Sequence, residues 1–186
     1  MTTGTWSRKR LRVARWSALA VGAVAVVLVA VLATRQPASL ALADSPLVGR
    51  PAPATSGTSF AGRPVGLDRL RGRFVLVNFY APWCQQCQQE EPQLEAFLFT
   101  HPGGSRTAVL GVLYGDTEAD GKAFQSQNGA TWPSIVDPGG LIASRWGVGS
   151  LPRSFLVNPS GRVVDAIVGA VTASELDNLV LSQLRR

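Results

Sequence analysis

The sequence predicts an α/β domain, with a mixed central sheet flanked by helices, preceded by one N-terminal transmembrane helix. Three observations carry this. Trp16–Thr34 is an apolar run without a charged residue. Phe74–Tyr80 and Thr107–Tyr114 are short, nearly continuous apolar segments, the pattern of strands buried on both faces, with a helix-like stretch between them. The last third of the chain then reads as two strands joined by a turn and closed by an amphipathic helix, so that a β-α-β half meets a hairpin in one sheet.

The charge fits this division. The 186 residues carry a formal charge of +6, yet Arg8, Lys9, Arg10, Arg12, Arg15 and Arg35 supply six of the 18 basic residues before the first acid, Asp44. From residue 36 onward, 12 basic residues face 12 acidic ones. The basicity is therefore not spread over the domain, and a nucleic-acid partner is not expected. Trp16–Thr34, as a helix rising about 1.5 Å per residue, would span roughly 28 Å, the thickness of a bilayer core. Five basic residues precede it, so the positive-inside rule keeps residues 1–15 in the cytoplasm and sends the rest of the chain across the cell membrane. The expected organisation is a cytoplasmic basic N-terminus (1–15), a single-pass anchor (16–34), a linker (35–46) and a globular domain (47–186). A second reading of the same segment is a cleaved signal, because Ala41-Leu42-Ala43 is an A-x-A site. Residues 36–60, rich in Pro, Ala and Ser, read as a tether merging into the domain edge.

Within the domain, Phe74–Tyr80 is the central strand, and the polar stretch after Cys84 is a helix with Leu94, Phe97 and Leu98 on its apolar side. Pro92 removes one of that helix's hydrogen bonds. Glu118–Asn128 reads as a surface helix carrying Phe124. Ser154–Asn158 and Arg162–Val168 read as strands joined by the turn Asn158-Pro159-Ser160-Gly161. Ala173–Leu184 is a helix: Thr172 and Glu175 have capping-box spacing, and Leu176, Leu179, Val180 and Leu184 form an apolar stripe.

Trp83-Cys84-Gln85-Gln86-Cys87 is the sharpest chemical signal. At the start of a helix, the Cys84 sulfur faces unpaired N–H groups and the positive end of the dipole, which favour the nucleophilic thiolate. Cys87, one turn further in, suits the resolving role. The chain has two cysteines, so any intrachain disulfide is Cys84–Cys87. Structural zinc would need two more ligands, and His101 is the only histidine. Haem attachment needs a histidine where Gln88 stands. Glu90 and Glu91 follow Cys87 by three and four residues, so either can lie near it and move its proton; spacing alone equally allows a solvated face. A Cys-x-x-Cys at the end of the first strand of such a pattern is the thioredoxin arrangement.

From about Pro46 to Leu184 the chain resembles the membrane-anchored, thioredoxin-like disulfide oxidoreductases of the TlpA/ResA and CcmG type. The likeness lies in Leu47-Val48-Gly49-Arg50-Pro51-Ala52-Pro53, in Leu67–Gly72 followed by Phe74–Cys87, in Gly111–Asp116, in Trp132–Asp137 and in Leu151–Asn158. The resemblance implies a thioredoxin-like fold and an extracytoplasmic enzyme with no cofactor beyond the Cys84–Cys87 pair and no metal. Its clients would be protein disulfides, in several members those of apocytochrome c during cytochrome c maturation, and a membrane thiol donor would restore the dithiol. It also implies that Glu90 rather than Glu91 is the active-site acid. Pro152 would be cis, and Trp83, Leu151 and Pro152 would meet the client. Asn78 stands where cytosolic thioredoxins carry a buried Asp. Gln85-Gln86 between the cysteines and Arg153 after the proline depart from the common pattern, at positions expected to face the partner. Alternatives on the same two cysteines are a disulfide-donating oxidant and a Cu(I)-handling protein; a non-catalytic binding module would leave the motif without a purpose.

Overall fold

The strand Phe74–Tyr80 (β4) is buried along its whole length and forms the centre of the domain. The structure is a computed structural model that describes Trp16, Ala18, 21–24, 26–27, 41–42, 44–100 and 106–185. Contacts divide the chain into two units, Met1–Ser39 and Leu40–Arg186. In the first, the described residues of the apolar run are helical and exposed. Among the described residues no helix is long and apolar enough to cross a membrane; the remainder of Trp16–Thr34 lies outside them, as do Ala43 and His101.

In the second unit β4 pairs in parallel with β5 (Thr107–Tyr114), which pairs in parallel with β6 (Ser134–Asp137). On its other side β4 is antiparallel to β7 (Arg153–Val157), and β7 to β8 (Val163–Val168). A two-residue strand, β1 (Ala41–Leu42), pairs with β8 at the sheet edge, so the expected linker already joins the sheet there. The order is β1-β8-β7-β4-β5-β6. Ser56–Thr58 (β2) and Pro64–Gly66 (β3) form a separate hairpin, followed by a 3₁₀ turn at Leu67–Leu70. Neither this hairpin, nor β6, nor the five-residue helix α3 (Leu141–Arg145) is expected from periodicity, because each is too short to show any.

Alternation along β4 sorts the core into two layers. Val75, Val77 and Phe79 pack with Phe155, Trp146 and the α3 side. There Trp146 lies 4.8 Å from Phe155, and its indole N–H donates to Thr55 Oγ1 at 2.8 Å, so the segment before β2 is tied to the core. Phe74 and Leu76 face the opposite way, against Leu94 and Phe97 of α1 (Gln85–Thr100) and Leu176 and Val180 of α4 (Ala173–Leu184). Helix α2 (Glu118–Asn128) joins this layer through Phe124, stacked 5.5 Å from Tyr80. Its N-cap is Thr117, and Gly129 ends it in the left-handed conformation. The capping box of Thr172 and Glu175 starts α4 as expected. The apolar stripe of α4 stops short of its end, however: Leu176 and Val180 are buried but Leu184 is exposed. Gly111 on β5 has no room for a side chain, since a Cβ there would stand 2.1 Å from Ser134 Oγ.

Candidate active site

At the C-terminal end of β4 the chain turns through Ala81-Pro82-Trp83 and enters α1 directly after Cys84. The Cys84 N–H donates to Ala81 O at 3.1 Å, and the Cys84 carbonyl accepts the first helical bond, from Gln88 N at 3.2 Å. Cys84 thus occupies the capping position of α1, with its sulfur at the unpaired N–H groups of the first turn. The Cys87 N–H donates to Cys84 Sγ at 3.1 Å. Cys84 and Cys87 are joined as a disulfide, with Cα atoms 5.2 Å apart. The two sulfurs are not equivalent: Cys84 is 8% exposed and Cys87 1%.

A groove of about 430 Å³ opens beside Cys84, lined by Trp83, Gln85, Gln86, Tyr114, Leu151 and the loop Val148–Ser150. Among the described residues no charged side chain lines it. Trp83 is 65% exposed, an aromatic platform at its rim. The Leu151–Pro152 bond is cis, and Pro152 is buried behind Leu151, its carbonyl accepting from Gly169 N at 3.0 Å. Arg153 does not line this groove. Strand alternation turns it to the layer of Phe155, with its guanidinium carbon 5.1 Å from that ring.

Below the disulfide is a buried polar chain. Glu90 lies one turn beyond Cys87 on α1 and is 1% exposed. Its Oε2 accepts from Asn78 Nδ2 at 2.8 Å, and its Oε1 from the Val171 N–H at 3.1 Å. Asn78 also donates to Ser154 Oγ at 2.9 Å, across the β4–β7 register that places the two residues opposite each other. Burial pushes the Glu90 carboxyl up to about 7, against the pull of the two hydrogen bonds. A carboxyl poised there gains and loses a proton near neutral pH, as a group serving a thiol must. Glu91 is equally buried, so the solvated face that spacing allowed is excluded for both residues. The helix spacing did not reveal Glu91's burial, nor the parts played by Ser154, Val171 and Tyr114. Of the residues singled out in the sequence, Trp83, Cys84, Cys87, Glu90, Leu151 and Pro152 gather at this one end of the sheet. Among the described residues there is no cluster of three His, Cys, Asp or Glu able to hold a metal.

Comparison with known proteins agrees with this geometry. Residues 48–166 match the AhpC/TSA family. The thiol-disulfide oxidoreductase ResA of Bacillus thuringiensis (strain Al Hakam) is 32% identical over 130 residues, covering 70% of this chain and 75% of ResA. A DsbE homologue of Paracoccus denitrificans (strain Pd 1222), a thiol:disulfide interchange protein, is 30% identical over 145 residues, covering 76% and 78%. The crystal structure of a thioredoxin-family thiol:disulfide interchange protein from Chlorobium tepidum TLS superimposes with a TM-score of 0.65 at 27% identity, over 75% of this chain and 98% of that one. Since the family match runs through Cys84, Cys87, Glu90 and Pro152, the chain belongs to the AhpC/TSA family and is a thioredoxin-like thiol-disulfide oxidoreductase of the ResA/DsbE type.

Proposed function

We propose that this protein is a membrane-tethered, extracytoplasmic reductant of protein disulfides, with apocytochrome c as a client during cytochrome c maturation. In the dithiol form, the Cys84 thiolate attacks a client disulfide, forming a mixed disulfide and releasing one client thiolate, which takes up a proton. Glu90 accepts the proton of Cys87. The Cys87 thiolate then attacks Cys84 Sγ, and the second client sulfur leaves as a thiolate, which takes up the proton held by Glu90. Two electrons pass to the client and the Cys84–Cys87 disulfide remains, to be reduced again by a membrane thiol donor. Trp83, Leu151 and Pro152 hold the client beside Cys84.

The observation that carries this reading is the pairing of an outer sulfur at the mouth of an uncharged groove with an inner sulfur one helical turn from a buried, hydrogen-bonded acid. The tether reading is supported by the apolar run 16–34 between a basic 1–15 segment and the linker 35–46, the charge pattern that the positive-inside rule associates with an exported domain at 47–186. Protein disulfides as the client class are supported by the relatives named thiol-disulfide oxidoreductase ResA and thiol:disulfide interchange protein DsbE, and apocytochrome c by the resemblance to the TlpA/ResA and CcmG type.

The deciding experiment is the reduction potential of the Cys84–Cys87 pair. A value near or below about −220 mV supports the reductant. A value near about −120 mV makes the protein a disulfide donor and reverses the electron flow.

A further inference from the structure

The charge of the domain is balanced in number but not in place. From residue 36 onward 12 basic residues face 12 acidic ones, and the strand register shows where they stand. Arg73 precedes β4 and Arg106 precedes β5, at the N-terminal ends of two parallel strands. The end of β7 and the start of β8 lie at that same end, Val157 being opposite both Val75 and Val163, and Arg162 stands just before β8. The Arg50 carbonyl accepts from Val163 N at 2.9 Å, which brings Arg50 there as well. Arg69 and Arg71 belong to the 3₁₀ turn and its cap, tied to this end by the Gly72 N–H, which donates to Pro159 O at 3.1 Å. Six of the 12 basic residues thus gather at the end of the sheet opposite Cys84, all of them arginine and all exposed.

Acids are placed differently. Near the arginines, Asp68 is exposed on the 3₁₀ turn, and Asp165 of β8 accepts from Gln183 of α4 at 3.3 Å. Asp116, Glu118 and Asp120 instead follow β5 at the disulfide end, where Asp137 also closes β6. A domain neutral in sum therefore carries a positive pole, and the field of such a pole acts on partners even when the net charge is zero. Arg71 and Arg162 donate to the backbone carbonyls of Ser160 and Gly49, contacts that set the guanidinium groups at the surface without cancelling their charge. Arg71 and Arg73 line a cavity of about 390 Å³ together with Asp68, Asn158 and Gly161. A guanidinium offers two parallel donors to two oxygens of one phosphate, a match that lysine lacks.

We propose that this arginine pole is a docking surface for anionic phospholipid headgroups, whose phosphates its guanidinium groups hold. The inference rests on the tether reading above, which makes a bilayer surface the polyanion always at hand. Docking at this pole leaves the Cys84 groove, at the other end of the sheet, uncovered for the client. Each arginine brought to an anionic lipid surface adds roughly five-fold to the affinity.

The test is arginine footprinting of the full chain with phenylglyoxal, read by mass spectrometry, in two kinds of vesicle: phosphatidylcholine alone, and an equal mixture of phosphatidylcholine and phosphatidylglycerol. Arg71, Arg73 and Arg106 should be modified several-fold more slowly in the anionic vesicles. Arg145, exposed in the connection from β6 to Val148 of the groove, is the internal control and should react alike in both. The protection should vanish at about 1 M salt, where the Debye length is about 3 Å. In the triple variant Arg69→Gln, Arg73→Gln, Arg106→Gln, protection of Arg50 and Arg162 should be lost too, since the pole acts as one surface. Equal rates in the two vesicles overturn the proposal, and so does protection of Arg145 as strong as that of the pole. Protection in native membranes but in neither vesicle would assign the pole to an acidic protein and overturn the lipid reading. Alkaline carbonate extraction of the same vesicles keeps the two inferences apart. A chain released by carbonate sinks the tether reading itself, whereas a retained chain with unprotected arginines sinks the docking pole alone.

Discussion

The amide nitrogen of Asn78 stands 2.8 Å from Glu90 Oε2 and 2.9 Å from Ser154 Oγ, so one side chain on the central strand ties the acid of α1 to the strand that follows Pro152. Both hydrogens of that nitrogen are engaged, which fixes the amide in one orientation. The contact explains how a polar residue is held in the middle of a strand whose other six members are apolar or aromatic. It also sets where the Glu90 carboxyl sits relative to Cys87, one turn earlier on α1.

Removing this donor should therefore act on both stability and titration. Asn78→Ala leaves Glu90 with the Val171 N–H alone and strands Ser154 Oγ. The expected cost is about 1–3 kcal/mol in urea denaturation, and the Glu90 carboxyl should titrate above about 7. Asn78→Asp should raise it further, because a donor is replaced by a second negative charge. A Glu90 titration that does not rise in either variant would separate Asn78 from the acid.

The unequal burial of the sulfurs predicts unequal variants. Cys84→Ser should reduce turnover of a protein disulfide to background, since the accessible sulfur is the one a client can reach. Cys87→Ser should instead accumulate mixed disulfides with clients, visible as adducts on a non-reducing gel, because nothing remains to expel the partner. Full activity in Cys84→Ser would contradict the assigned order of attack.

Trp83 supports nothing in the core, so its role is separable from folding. Trp83→Ala should leave stability within about 0.5 kcal/mol, as exposed substitutions do. Loss of the aromatic rim should weaken client binding by about 1 kcal/mol, roughly five-fold in KM, with kcat little changed. A drop in kcat with KM unmoved would place Trp83 in the chemistry rather than the groove.

These residues differ in how far the chain alone announced them. Phe74–Tyr80 was legible because burial on both faces demands an unbroken apolar run, and Thr172 with Glu175 because a capping box is local. Cys84 and Cys87 were legible from the spacing of the pair. Glu90 came from the resemblance, while the burial of Glu91 came from neither: three and four residues beyond Cys87 are equivalent positions until the packing of α1 against β4 is known. Tyr80 of β4 shares an apolar cluster with Cys87 of α1, a contact between elements that no periodicity encodes. The placement of Arg153 against the Phe155 ring was likewise not legible, because it depends on strand alternation along Arg153–Val157. The strand Ser56–Thr58 and its partner Pro64–Gly66, three residues each and rich in Gly, Ser and Pro, are too short and too polar to mark themselves as strands.

The two buried acids also predict how stability follows pH. Burial raises Glu90 from 4.5 to about 7 and Glu91 from 4.5 to about 8. Between those limits the folded state holds protons that the unfolded chain has released, so it binds more protons and stability falls as pH rises. The stabilising contribution is complete below the unfolded value near 4.5 and is lost as pH climbs through 7 and 8. A tenfold change in proton affinity is worth about 1.4 kcal/mol, so the decline across this window should reach several kcal/mol. Urea denaturation of the disulfide form at pH 5, 7 and 9 measures it directly. Glu91→Gln removes the more strongly raised group, so its curve should be shallower than the native one, near parity at pH 5 and more stable by about 2 kcal/mol or more at pH 9. Parallel curves for the native protein and Glu91→Gln would mean that Glu91 titrates alike in the folded and unfolded chains, which its buried oxygen, without a hydrogen bond among the described residues, argues against.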